Sequence, residues 1–116
     1  FGIIVYVLSG QVNKIIKARC GKMAIPFKSG RKFKSAEGKL IEFKLFLAKH
    51  NLRPEESLYM GDDVNDLLVL DYAGLGITVP NAHRLVLKRC KYITRSSGGN
   101  GAIREVVDLL LDAQKI

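Results

Sequence analysis

Leu58-Tyr59-Met60-Gly61-Asp62-Asp63-Val64-Asn65-Asp66 is the stretch that decides how the chain is read. Residues 57–60 form a short apolar run bounded by Pro54-Glu55-Glu56 and by Gly61, which predicts a strand. From Val64 the apolar positions recur at helical spacing, at Val64, Leu67 and Leu68, with Asp63, Asn65, Asp66 and Asp71 between them. A buried strand thus ends in a glycine, and three carboxylates follow within five residues at the turn into a helix. Carboxylates this close oppose one another's ionisation unless a cation neutralises them. Oxygen-only ligands suit a hard ion such as Mg²⁺. A single aspartate here needs no role beyond capping the helix. Three at a strand's carboxyl end, where open α/β sheets bind ligands, predict a metal site.

The rest of the chain frames that site. Its 116 residues are expected to form one domain, residues 1–116, with 47% hydrophobic and 26% charged residues, an ordinary composition for a soluble globular protein. No apolar run is long enough to span a bilayer and no signal-like segment opens the chain, so no membrane partner is expected. Cys20 and Cys90 have neither metal-ligand spacing nor disulfide density, which points to buried or free thiols in a reducing compartment, with the cytoplasm expected. The net charge of +8 is concentrated between Lys14 and Lys44, notably at Lys28, Arg31, Lys32 and Lys34. Such a stretch is a solvated basic loop or attracts anionic substrates. A nucleic-acid partner would want a recognition motif or interleaved aromatics, and only Phe27 and Phe33 lie there, so none is expected. The chain opens at Phe1 on an apolar run and reads as the inside of a longer protein.

Taken in order, residues 3–8 form a β-branched run typical of a strand covered on both faces. Ser9-Gly10 ends it, a helix follows over residues 11–22, and residues 24–27 are a second short strand. Residues 29–35 are a basic loop. Residues 37–50 read as a helix, apolar at Leu40, Ile41, Phe43, Leu47 and Ala48. After the carboxylate helix come a strand at 75–79, a short helix at 82–89 and a last strand at 91–94. A glycine-rich loop at 96–101 precedes a closing helix with Ile103, Val106, Val107, Leu110 and Leu111 on one face. His50 falls at a helix end, where a solvated cap is expected. The alternation predicts an α/β fold, a three-layer sandwich with a parallel sheet between helices. In such a sheet Ser9-Gly10 and Gly61-Asp62-Asp63 leave carboxyl ends of strands and can lie side by side.

Leu8-Ser9-Gly10, Lys39 and Gly61-Asp62-Asp63-Val64-Asn65-Asp66, in that order, resemble motifs two, three and four of the haloacid-dehalogenase (HAD) phosphohydrolases. Lys39-Leu40-Ile41-Glu42-Phe43, Asn81-Ala82-His83, Tyr92-Ile93-Thr94-Arg95 and Gly98-Gly99-Asn100-Gly101-Ala102-Ile103-Arg104-Glu105 are similar to one branch of that family, the 3-deoxy-D-manno-octulosonate 8-phosphate (KDO 8-phosphate) phosphatases. The resemblance implies a Rossmann-like, capless sheet and Mg²⁺-dependent hydrolysis of a phosphorylated sugar acid through a phospho-aspartyl intermediate. It makes Asp62 the Mg²⁺ ligand, Asp63 a second candidate ligand and Asp66 a support for the loop. Ser9 would donate its hydroxyl to a phosphoryl oxygen beside the Gly10 backbone N–H, and Lys39 would place its charge on phosphate and nucleophile. His83 would be structural or face the substrate. The branch also implies a role in lipopolysaccharide biosynthesis and a homo-oligomer, typically a tetramer, with neighbouring subunits closing the site.

The chain departs from that pattern in three ways. No Asp-x-Asp follows an apolar strand before Ser9, so the nucleophile, the general acid and the family's central first strand lie outside these residues. Gln11 stands where the branch usually has an arginine, removing a fixed cation near the phosphate or sugar acid. The segment before Lys39 is longer than the family's loop, so Lys32 or Lys34 could take its place. A second reading follows from these departures: a non-catalytic HAD-like oligomerisation module of a sugar-acid nucleotidyltransferase.

Overall fold

Every strand pairing among the described residues is parallel, as the alternation of strands and helices predicts. The computed structural model describes residues 4, 6–9, 27–29, 34–97 and 101–114. Among them the strands are β1 (Val7–Ser9), β2 (Phe27–Ser29), β3 (Leu58–Met60), β4 (Leu75–Thr78) and β5 (Tyr92–Ile93). The α-helices are α1 (Ala36–Lys49), α2 (Leu67–Tyr72), α3 (Arg84–Arg89) and α4 (Ala102–Gln114), with 3₁₀ turns at Pro54–Glu56 and Val64–Asp66. Two ladders result. β1 pairs with β2, setting Ser9 opposite Ser29, and β3, β4 and β5 pair in that order, with Met60 opposite Ile77 and Thr78 opposite Ile93. No ladder among the described residues joins the two sets. The helix expected over residues 11–22, together with Gly10, Gln11 and Lys32, lies outside the described residues.

Helix α1 starts and stops where its ends are chemically satisfied. The Ser35 side chain accepts from the Gly38 amide at 3.0 Å, and Glu37 and Lys49 complement the helix dipole at opposite ends. At the far end the Asn51 amide donates to Ala48 and the Leu52 amide to Leu47, a Schellman closure. It sets Asn51 in the left-handed region at φ 55°, which asparagine tolerates. His50 caps this end, its ring centroid 4.9 Å from that of Phe46.

The core forms where α1 faces α2. Phe43 and Leu47 bury themselves against Val69 and Ala73, with Leu40, Phe46, Leu52 and Tyr59 packed around them. Two faces differ from the sequence reading. On α1 the expected apolar positions Ile41 and Ala48 are exposed, and the buried residues are Lys39, Glu42, Phe43 and Leu47. On the carboxylate helix Val64 and Leu68 are exposed, and Asp66, Val69, Leu70 and Ala73 are buried. In each case the buried stripe begins with a charged residue. The two charges neutralise each other at the head of the helix interface, so a pattern that counts charge as exposed picks the wrong face.

Helix α4 also departs from expectation. Ala102 and Val106 are buried, but Ile103 is 72% exposed and Val107 is exposed. Its inner side borders an apolar cleft of about 180 Å³ against Leu58, Leu75, Ile77 and Tyr92. The Glu105 carboxylate accepts from the Arg95 and Ser96 amides at about 3 Å, tying the start of α4 to the end of β5. Those amides hold its carboxyl below the usual range. Its contribution to stability is therefore present above the ordinary carboxylate pKa and is lost as pH falls through the depressed folded value. Among the described residues no helix is long and apolar enough to cross a membrane.

Candidate active site

The acidic loop is held on every side by backbone groups. Past Met60 the ladder continues for one residue, because the Gly61 amide donates to the Ile77 carbonyl at 3.1 Å. The Gly61 carbonyl accepts from the hydroxyl of Thr78, which is fully buried, at 2.7 Å. One residue on, the Asp62 carbonyl accepts from the His83 amide at 2.9 Å. His83 itself caps α3, its Nδ1 accepting from the Leu85 amide at 3.1 Å. Of its two expected roles, the structure displays the structural one.

Asp66 organises the interior of the loop. Its Oδ2 accepts from the Asp62 and Asp63 amides at 3.1 and 3.2 Å. Its Oδ1 accepts from Lys39 Nζ and from the Tyr59 hydroxyl, each at 2.7 Å. The carboxylate is thus fully engaged by four donors. Lys39 and Asp66 form a buried ion pair, with side chains 9% and 6% exposed. Lys39 Nζ also donates to Asn65 Oδ1 at 3.2 Å, and Asn65 Nδ2 donates to the Lys34 carbonyl at 3.1 Å. Burial, followed by the Asp66 carboxylate, pushes the Tyr59 hydroxyl well above the ordinary tyrosine pKa, so it stays a donor through neutral pH.

The geometry separates the three carboxylates. The cation beside Asp66 is the Lys39 ammonium. Asp63 is exposed and caps the 3₁₀ turn, its Oδ1 accepting from the Val64 amide at 2.7 Å. Asp62 is exposed, and among the described residues it meets Asp66 through its backbone amide, its carboxylate acting on Tyr59 only by its charge. Among the described residues no group of three or more His, Cys, Asp or Glu comes together to hold a metal. Mg²⁺, however, is commonly held by one or two carboxylates with water and substrate oxygens, and an exposed Asp62 fits such a site.

Of the remaining site residues, Lys39 is buried against the loop, while Lys34 is exposed and meets it through its backbone carbonyl. Ser9 closes β1 at its carboxyl end, and Gly10 lies outside the described residues. Tyr59 and Asn65 carry contacts that motif reading passed over. The available signal was a polar-tipped aromatic inside an otherwise apolar strand.

Gly61 is required by this packing. A Cβ there would lie 2.5 Å from Asp66 Cγ and 2.7 Å from Oδ2, with no solvent-facing chain end to give way. Gly61→Ala is expected to cost roughly 1–3 kcal/mol in urea denaturation, as an overpacked site must shift to admit the methyl group.

The sequence profile of the haloacid dehalogenase-like hydrolases matches residues 33–106, more than half of the chain. The chain is 39% identical over 110 residues to the 3-deoxy-D-manno-octulosonate 8-phosphate phosphatase of Escherichia coli (strain K12), covering 95% of this chain and 56% of that protein. It is similar in structure to the phosphatase of that name from Yersinia pestis, with a TM-score of 0.89 and 36% identity over 97% of this chain and 59% of that one. A further similar structure is the Moraxella catarrhalis phosphatase solved with a magnesium ion, a phosphate ion and KDO, at a TM-score of 0.87 and 33% identity over 97% of this chain and 62% of that one. The chain spans a little over half the length of the curated relatives it matches. On the profile match and the parallel α/β architecture together, the chain belongs to the haloacid dehalogenase-like hydrolases.

Proposed function

We propose that the chain is the larger part of a Mg²⁺-dependent phosphatase that hydrolyses a sugar-acid phosphomonoester, 3-deoxy-D-manno-octulosonate 8-phosphate, as the named relatives do. The observation that carries this reading is the buried Lys39–Asp66 pair, which anchors an ammonium to the loop that carries Asp62 past the carboxyl end of β3. An ammonium and an exposed carboxylate on that one loop are complementary handles for a phosphoryl group and its metal.

In this reading Lys39 uses an N–H beyond those given to Asp66 and Asn65 to bind a phosphoryl oxygen. Ser9, at the end of β1, donates its hydroxyl to a second, with the Gly10 N–H beside it. Asp62 ligates the Mg²⁺, with Asp63 as the second candidate and Asp66 holding the loop that carries both. When bound, the ion neutralises phosphoryl oxygens and nucleophile together. The attacking aspartate and the general acid lie outside residues 1–116, so these residues alone are expected to be inactive. The location is cytoplasmic and the assembly a homotetramer. The non-catalytic module is not favoured, because the relatives named above are phosphatases.

The test is phosphate release from 3-deoxy-D-manno-octulosonate 8-phosphate by the polypeptide as encoded, with and without Mg²⁺. Release that depends on Mg²⁺ is expected. No release from a polypeptide that carries an upstream Asp-x-Asp strand would overturn the substrate.

A further inference from the structure

We propose that Tyr59 is a positioning residue for the Lys39 ammonium: its hydroxyl fixes the one carboxylate oxygen of Asp66 on which the ammonium rests. The proposal rests on the phosphatase reading above for its consequence in catalysis, and on the hydrogen bonds alone for its geometry.

The two oxygens of Asp66 are held differently. Oδ2 takes two amides of the loop itself, at 3.1 and 3.2 Å, so it moves with the loop. Oδ1 takes the phenol of Tyr59 and the ammonium of Lys39. Of those two donors only the phenol is stiff. Its ring rises from β3 and meets Phe43 edge-on, with centroids 5.7 Å apart and planes at 84°. The ammonium ends a flexible four-carbon stem and goes where its acceptors are. Tyr59 is thus the post that sets Oδ1, and Oδ1 with Asn65 Oδ1 sets Lys39 Nζ.

The arithmetic of donors makes this matter. An ammonium has three N–H bonds. Among the described residues two are given to Asp66 and Asn65, and the direction of the third follows from the first two. That third donor is the one available to a phosphoryl oxygen. Misplacement by about 1 Å of a group that orients a reacting centre can cost on the order of a hundredfold in rate. Tyr59→Phe deletes the post while keeping the ring packed on Phe43.

The experiment compares wild type, Tyr59→Phe, Lys39→Gln and the double variant in the polypeptide as encoded. It measures kcat and KM for Mg²⁺-dependent phosphate release from 3-deoxy-D-manno-octulosonate 8-phosphate. Tyr59→Phe is expected to lower kcat/KM by about ten- to a hundredfold. On the Lys39→Gln background the same change should cost less than about twofold, because no ammonium is left to position. An undiminished loss on that background would mean that Tyr59 acts elsewhere, and would overturn the proposal. A second readout needs no turnover. Reductive methylation followed by mass spectrometry should show Lys39 labelled severalfold faster in Tyr59→Phe, with the other lysines unchanged. If wild type releases no phosphate, the phosphatase reading fails and labelling alone decides. An unchanged Lys39 labelling rate would then overturn the positioning role.

Discussion

Asp66→Ala is expected to cost about 3–5 kcal/mol of folding stability, the loss typical when one partner of a buried ion pair is removed. Lys39 would keep a charge on a side chain 9% exposed with its anion gone. The Tyr59 hydroxyl and the Asp62 and Asp63 amides would lose their acceptor in the same step. An unmade hydrogen bond is costlier than a made one is worth, so these losses fall on the destabilising side. Domains of this kind are stable by only about 5–15 kcal/mol, so the variant should sit near its unfolding threshold at ambient temperature. Asp66→Asn keeps an acceptor oxygen and should lose less. Urea denaturation of the pair of variants measures both. A loss below about 1 kcal/mol for Asp66→Ala would show that the carboxylate does not hold the loop.

Asp62→Ala should do the reverse: phosphate release falls by at least about a hundredfold while stability stays within about 0.5 kcal/mol of wild type. The Asp62 carboxylate is exposed, and the hydrogen bonds of residue 62 that anchor the loop are made by its backbone. An alanine keeps all of those. What it removes is the exposed carboxylate placed first among the proposed Mg²⁺ ligands. Steady-state rates at saturating Mg²⁺, read beside a thermal melt, separate the two effects. Equal losses of both would make Asp62 a structural residue and move the metal to Asp63.

Much of this was legible in the sequence, and the failures around the acidic loop share one cause. Alternating strands and helices announced the parallel α/β fold, and the ends of α1 were readable within one residue because its capping chemistry is local. The order Ser9, Lys39, Asp62 carried the resemblance on which the proposed site rests. The inward faces of α1 and α2 were misread because Lys39 and Asp66 look solvated when each is considered alone. They are 27 residues apart, and only the fold makes them partners. The same blindness hid Tyr59, whose hydroxyl gives no sign in a strand of its target. Local chemistry can be read along a chain, whereas a charge cancelled from a distant segment cannot.

Asp62 and Asp63 are exposed residues whose amides are gripped from within by a buried carboxylate. Their side chains and their backbone hydrogens therefore report on different events. Deuterium uptake at these two amides waits on the opening of the Asp66 grip, whatever the solvent access of the side chains beside them. The most exposed part of the loop thus carries an internal clock for its least visible motion.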